Sequence, residues 1–292
     1  MIAWMRIAVT AAVLVTMTLL VLPLQALAIR SGWPLARRLP LIWHRVACRI
    51  VGIRVIVTGE PSRRHPLLMV SNHLSWSDIL VLGSVMELSF IAKAEVRGWP
   101  VFGLLARLQR TVFVERSDRR ATGRQADAIA ERLAAGDVMV LFAEGTTSDG
   151  NSVLPFKTAL FGAAQSALRN AGTASVAVQP VALAYLRANG LPLGRFGRPL
   201  VAWPGDVELL PHLVGVLREG AVDVEVCFGD PIEFTPSSDR KAVARLSEER
   251  VGRMLAEALA GRPWAAGTGG EPARQETLAR RTVEDDIQDR RQ

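Results

Sequence analysis

A histidine and an acid five residues apart, His73 and Asp78, stand in the stretch Ser71-Asn72-His73-Leu74-Ser75-Trp76-Ser77-Asp78. An imidazole beside a carboxylate is a proton-transfer device. The acid fixes the ring tautomer and stabilises the imidazolium, and the free ring nitrogen takes a proton. Four intervening residues leave one bend of chain, so the carboxylate can fold back onto the ring. The commoner fate of a histidine after a strand is capping or packing, and the pair alone argues little. Two further stretches change the balance. Phe142-Ala143-Glu144-Gly145-Thr146 sets an acid beside a glycine and hydroxyls. Gly145 would let the backbone approach a ligand closely and present an amide to it. A Ser/Thr-rich turn running on through Ser148-Asp149-Gly150-Asn151 fits the same residues. Arg116 closes an apolar run, and by itself reads as a surface arginine.

Each of these groups needs an element to hold it. Residues 66–70 read as a short buried strand and 79–82 as the core face of a helix, which puts His73 at the carboxyl end of a strand. In open α/β sheets ligands bind along that edge. A strand over 138–142 runs into the Glu144 loop, and a strand over 111–115 ends at Arg116, on the same edge if the strands are parallel. Further strands are expected over 52–58, 88–93, 176–185 (around Pro180) and 222–228. Helices are expected over 99–106, 118–135, 157–171, 207–218 and 238–260, with a less regular patch over 191–204. The alternation means an α/β fold, a layered sheet flanked by helices. Residues 51–262 form the main domain. Residues 263–292 mix glycine with both charge signs and read as a disordered tail.

The 292 residues suffice for one sizeable α/β domain or two small ones. With 49% hydrophobic residues, mean hydropathy +0.21 and net charge +7, the chain suits an anionic membrane surface. One tyrosine and few aromatics among the basic residues give no stacking platform, so nucleic acid is not an expected partner. Cys48 and Cys227 lie far apart and outside any C-x-x-C, as expected of free thiols in a reduced compartment. Residues 7–29 are apolar but for Thr10, Thr16, Thr18 and Gln25, and Arg6 and Arg30 bound them. That is long enough to cross a bilayer. Ala26-Leu27-Ala28 imitates a signal cleavage site. An anchor is preferred, because the run is long for a signal sequence and a basic amphipathic segment follows. That segment sets Arg30, Arg37, Arg38, Arg45 and Arg49 among Trp33, Leu35, Leu39, Leu41, Ile42, Trp43 and Val46. It suits the headgroup layer, with a buried amphipathic helix as the competing reading. Residues 1–50 thus read as membrane anchor and interfacial helix. The positive excess after the apolar run places the bulk of the chain on the cytoplasmic face.

The strand ends, in order, resemble the glycerolipid acyltransferase family, the lysophospholipid acyltransferases that include 1-acylglycerol-3-phosphate acyltransferase. N-H-x-x-x-x-D is matched by Asn72, His73 and Asp78, and an apolar strand ending in arginine by Val112-Phe113-Val114-Glu115-Arg116. F-x-E-G-T-R-S is matched by Phe142, Glu144, Gly145, Thr146 and Ser148, and a valine-rich strand with proline by Val178-Gln179-Pro180-Val181. The resemblance spans roughly residues 45 to 235. It implies an acyltransferase-type α/β fold and transfer of an acyl chain from a thioester to a lipid hydroxyl. His73 would be the base and Asp78 its orienting acid. Arg116, Glu144, Gly145 and Thr146 would contact substrate, Glu144 either orienting the acceptor or pairing with a cation near it. No metal and no cofactor are implied. The co-substrate would be an acyl carrier protein thioester or acyl-CoA, and the basic surface favours the acidic carrier protein. A bacterial-type inner (cytoplasmic) membrane is the implied location.

Thr147 stands where the family usually has arginine, thought to help hold the acceptor's phosphate. Loss of that donor weakens an anionic headgroup more than a zwitterionic one. The string Glu144 to Asn151, with Leu154-Pro155-Phe156-Lys157, Trp203-Pro204-Gly205-Asp206 and Leu210-Pro211-His212, resembles the branch acting on lyso-ornithine lipid. The expected reaction is therefore O-acylation of lyso-ornithine lipid to ornithine lipid. Acylation of lysophosphatidate to phosphatidate is the alternative within the class, alone or in addition. A non-catalytic membrane lipid-binding protein is the alternative from another class, and it has no need of the His73–Asp78 pair. Four histidines without H-E-x-x-H exclude the usual zinc hydrolases, and both common nucleotide-binding glycine motifs are missing. There is no G-x-S-x-G elbow for a serine acyl-enzyme.

Overall fold

The structure, a computed structural model, describes residues 2–114, 119–171, 174–205, 207–262 and 264. Arg116 and all of the expected disordered tail except Trp264 lie outside the described residues. The chain opens with α1 (Ile2–Arg30) and α2 (Leu35–Val51), followed by β1 (Ile53–Thr58), β2 (Leu67–Ser71), α3 (Ser77–Val85) and β3 (Ser89–Lys93). A 3-10 turn (Ala94–Gly98) leads to α4 (Phe102–Leu108), β4 (Val112–Val114), α5 (Arg119–Ala134), β5 (Val138–Phe142) and α6 (Thr158–Ala171). Then come β6 (Val176–Ala188), β7 (Leu191–Pro192), α7 (Gly194–Gly197) and a 3-10 turn (Arg198–Leu200). The last elements are α8 (Leu209–Glu219), β8 (Val222–Phe228), β9 (Ile232–Phe234) and α9 (Arg240–Leu259).

One mixed sheet runs β1-β8-β6-β2-β5-β3-β4, with β7 and β9 also paired to β6. From β6 to β4 every neighbour pair is parallel, so these strands end on one edge. β8 runs antiparallel to β6 and carries β1 parallel beside it. Parallel strands covered on both faces read as unbroken apolar runs, and β2 and β5 are buried at every position. Leu68, Val70, Met139 and Leu141 face a core shared with Ile129 and Leu133 of α5, Phe161 of α6 and Val251 and Met254 of α9. Leu67, Met69, Val138 and Val140 face the other core, shared with Val51 of α2, Val81 and Leu82 of α3 and Leu217 of α8. Pro180 lies inside the sheet, where a missing N–H normally disqualifies proline. It is tolerated because β6 pairs with β9 up to Val178 and with β8 only from Val181, so the missing donor falls in the gap between them.

The apolar amino-terminal helix does not stand free of this sandwich. Its polar interruptions are its points of attachment: Gln25 Nε2 donates to the carbonyls of Ala36 (3.0 Å) and Leu108 (2.7 Å), and Thr18 Oγ1 accepts from Trp43 Nε1 (3.1 Å). Arg6 reaches the Leu217 carbonyl. The outer face keeps Trp4, Val9, Leu19, Leu20 and Leu27 exposed, and α1 is long and apolar enough to cross a membrane. α2 packs one face inward and leaves apolar residues exposed on the other. Ala36, His44, Ala47, Cys48 and Val51 are buried, while Trp33, just before the helix, and Ile42 are exposed. His44 lies so close to α3 that a Cβ on Gly83 would fall 2.4 Å from its ring. Burial lowers its pKa to about 4, and it meets Gln109 Oε1 at 3.0 Å as a neutral ring. Cys48 and Cys227 are buried and unbridged.

Candidate active site

The chain leaves β2 at Ser71 and is caught at once. Asn72, fully buried, donates Nδ2 to the Leu183 carbonyl (3.0 Å) and accepts the Leu183 N–H on Oδ1 (2.8 Å). It replaces strand pairing with an amide clamp to β6 and so fixes where the next residue starts. His73 then turns back, and its Nδ1 meets Asp78 Oδ2 at 2.7 Å. The same oxygen accepts the amides of Leu74 (2.7 Å) and Ser75 (3.0 Å), so the loop wraps the carboxylate at the start of α3. Because the carboxylate accepts the Nδ1–H hydrogen bond, Nε2 is left as the acceptor. The ring lies flat on Phe142, the last residue of β5, with centroids 3.9 Å apart, and the side chain keeps 19% of its surface exposed.

Asp78 Oδ1 is served by a residue absent from the expected site, Tyr185. Tyr185, the only tyrosine, donates its hydroxyl at 2.7 Å and also meets Ser77 Oγ at 2.7 Å. Burial, reinforced by the Asp78 charge, raises its pKa well above the usual phenol value, so it remains a donor. The available signal was a phenol inside a long apolar strand, since a buried Tyr hydroxyl requires a partner.

Glu144 does not reach the surface that a substrate would touch. It is fully buried, and its Oε1 accepts the His73 N–H at 3.3 Å while Oε2 has no partner among the described residues. Burial pushes its carboxyl up to about 8, with the Asp78 charge adding to the rise, so it is a neutral acid at pH 7. The expectation that it pairs with a cation therefore gives way to a backbone role, because the loop folds it under His73. Ser148 completes the grip: its N–H (2.8 Å) and Oγ (3.2 Å) both bond the His73 carbonyl. Gly145 has φ +70°, in the left-handed region that favours glycine. Its amide, expected to face a ligand, donates instead to the Phe142 carbonyl at 3.1 Å, closing the turn. Thr146 is exposed and Thr147 half-buried, and their amides make no backbone hydrogen bond among the described residues. β4 is parallel to β3 and β3 to β5, so the strand before Arg116 ends on the His73 edge.

Two later segments close over the loop. Trp203 N–H donates to the Leu74 carbonyl at 2.8 Å, and Trp76 Nε1 donates to Nδ1 of His212, at the start of α8, at 3.1 Å. Burial lowers the His212 pKa, which keeps that nitrogen an acceptor. A base held by a buried acid, beside a glycine turn at a sheet edge, is an arrangement for moving a proton off a hydroxyl. The family profile described as Acyltransferase matches residues 54–184. Over 264 residues the chain is 59% identical to the lyso-ornithine lipid O-acyltransferase of Brucella abortus (strain 2308), an alignment covering 90% of this chain and 98% of that protein. The chain belongs to the acyltransferase family. This acyltransferase is also 51% identical over 273 residues to the lyso-ornithine lipid O-acyltransferase of Rhizobium meliloti (strain 1021), covering 94% of this chain and 93% of that one. Among solved structures it is similar to the 1-acyl-sn-glycerophosphate acyltransferase PlsC of Thermotoga maritima. The TM-score is 0.53 and the identity 25%, over 78% of this chain and 80% of that chain. The acyltransferase fold expected from the sequence is thus the fold observed.

Proposed function

We propose that this acyltransferase moves a fatty acyl chain from an acyl thioester to the hydroxyl of lyso-ornithine lipid, forming ornithine lipid. The carrying observation is the end-to-end likeness to relatives of that name. The hydroxyl oxygen attacks the thioester carbonyl as its proton passes to His73 Nε2, and Asp78 stabilises the imidazolium formed. A base so placed typically contributes about 10²–10⁴-fold. As the tetrahedral intermediate collapses the C–S bond breaks, and the thiolate takes the proton from His73. An ester, a free thiol and the neutral ring result, and no acyl-enzyme is required. The uncommitted amides of Thr146 and Thr147 are the proposed donors to the oxyanion, in place of Gly145. Arg116 is proposed to contact the acceptor.

The donor is proposed to be an acyl carrier protein thioester, supported by the +7 net charge. The 51–262 domain is proposed to be held at the cytoplasmic face of the inner membrane by α1 and α2. Phosphatidate synthesis is the second reading, supported by the likeness to the Thermotoga maritima enzyme. A competition assay offering both lyso-lipids with one labelled donor tests the proposal. Ornithine lipid should carry most of the label, and label confined to phosphatidate refutes it. His73→Ala should abolish transfer, and near-normal transfer in that variant overturns the base assignment.

A further inference from the structure

Arg198 opens the 3-10 turn after α7, and only 8% of it is exposed. A guanidinium removed from water requires an anion or a full set of acceptors. Among the described residues Arg198 has neither. Its one side-chain hydrogen bond runs from Nη1 to Asn151 Oδ1, and Nε is buried without a partner. No carboxylate lies within ion-pair distance of it among the described residues. Asp149, whose charge acts on Arg198 through space, is occupied instead by the N–H and Nδ2 of Asn151, each at 3.0 Å. The guanidinium is therefore positioned without a direct ion pair among the described residues.

Its place in the fold is next to the loop that holds the His73 backbone. Asn151 lies three residues beyond Ser148, which bonds the His73 carbonyl. Gly150, between them, packs so tightly on Leu74 that a Cβ there would fall 2.2 Å from Leu74 Cδ2. On the other flank, the amides of Val201 and Ala202 wind onto the Arg198 carbonyl (3.0 and 2.9 Å), and Trp203 then bonds Leu74 (2.8 Å). Asn151 Nδ2 also donates to the Arg195 carbonyl at 3.2 Å, joining the 148–151 loop to the turn that carries Arg198. A Cβ on Gly205 would stand 3.4 Å from Thr146 Oγ1. Arg198 thus lies on one of the two segments that hydrogen-bond the His73–Leu74 backbone, and its side chain reaches the other.

We propose that Arg198 receives the carboxylate of the lyso-ornithine acceptor, an inference that rests on the acceptor reading above. A carboxylate offers two oxygens to the planar guanidinium fork, and Nε with the uncommitted part of the group supplies the two parallel donors.

The experiment compares lyso-ornithine lipid with its carboxylate methyl ester in wild type, Arg198→Gln and Arg198→Lys, with one acyl thioester donor. A charge-assisted contact of this kind is worth about ten- to a hundredfold, so wild type should prefer the acid over the ester by that factor in kcat/KM. Arg198→Gln should show an acid-to-ester ratio near one and a raised acceptor KM, with donor KM unchanged. Arg198→Lys should recover part of the preference. Wild type alone decides the case if the variants do not fold: equal use of acid and ester overturns the proposal. So does an Arg198→Gln enzyme that keeps the wild-type ratio. If wild type acylates no lyso-ornithine lipid at all, the acceptor reading falls and this inference with it. If it acylates acid and ester alike, only this inference falls.

Discussion

Asp78→Asn isolates charge from shape at the centre of the site. An amide oxygen in the Oδ2 position still accepts the N–H groups of Leu74 and Ser75, now 2.7 and 3.0 Å away, so the loop keeps its anchor. What disappears is the negative charge 2.7 Å from His73 Nδ1. In the proposed transfer the ring takes up a proton, so this charge acts mainly on the transition state. Unit charges centred about 4 Å apart attract by about 4 kcal/mol at an effective dielectric near 20. That dielectric suits a pair in which the acid is buried and the ring is 19% exposed. At about 1.4 kcal/mol per factor of ten, the expected loss is roughly a thousandfold in kcat. Acceptor KM should stay within about twofold, since the group lost acts in the transition state. The assay is label transfer from an acyl carrier protein thioester to lyso-ornithine lipid, with a thermal melt to confirm folding. A folded Asp78→Asn enzyme within tenfold of the wild-type kcat would refute the assignment of Asp78 as the acid that supports the imidazolium.

Other expected outcomes follow from neighbouring contacts. Tyr185→Phe leaves Asp78 Oδ1 without its one hydroxyl donor. It should cost about 1.5–3 kcal/mol of stability and lower kcat about tenfold at unchanged acceptor KM, and a wild-type melt and rate would remove Tyr185 from the network. Glu144→Gln mimics the neutral acid and should keep most activity at pH 7. In the wild type the folded carboxyl titrates near 8 against an ordinary 4.5, so across that window the unfolded chain loses its proton first and stability falls as pH rises. The variant should lack that decline, and parallel curves of Tm against pH for the two proteins would contradict the buried neutral acid. Asp137 is gripped by Arg37 (2.9 Å), Arg110 (3.1 Å) and Arg132 at the opposite edge of the sheet. Asp137→Asn should destabilise by about 3 kcal/mol in urea melts while leaving kcat unchanged, because three guanidiniums lose their common partner.

The elements whose cause is local were legible in the sequence. Apolar runs and punctuating turns placed β2, α3, β5 and α9, and five residues of separation were enough to bring His73 and Asp78 together, since one bend of chain decides it. The three-residue β9 has too short a run to show a period and was missed, as was the reversed direction of β8 relative to β6. Tyr185 meets Asp78 across 107 residues, through the parallel register that sets Ser71 opposite Val181. No local pattern encodes that register. The same holds for Glu144, which reads as a substrate ligand by residue type and becomes a buried support for the His73 amide once the loop closes. The sequence alone thus determined the His73–Asp78 contact, the sheet edge that holds it and the family to which it points. The tertiary structure decided which groups support that pair, and it buries Arg198 without an ion pair among the described residues. Those outcomes depend on chain segments that meet only when the two cores are packed.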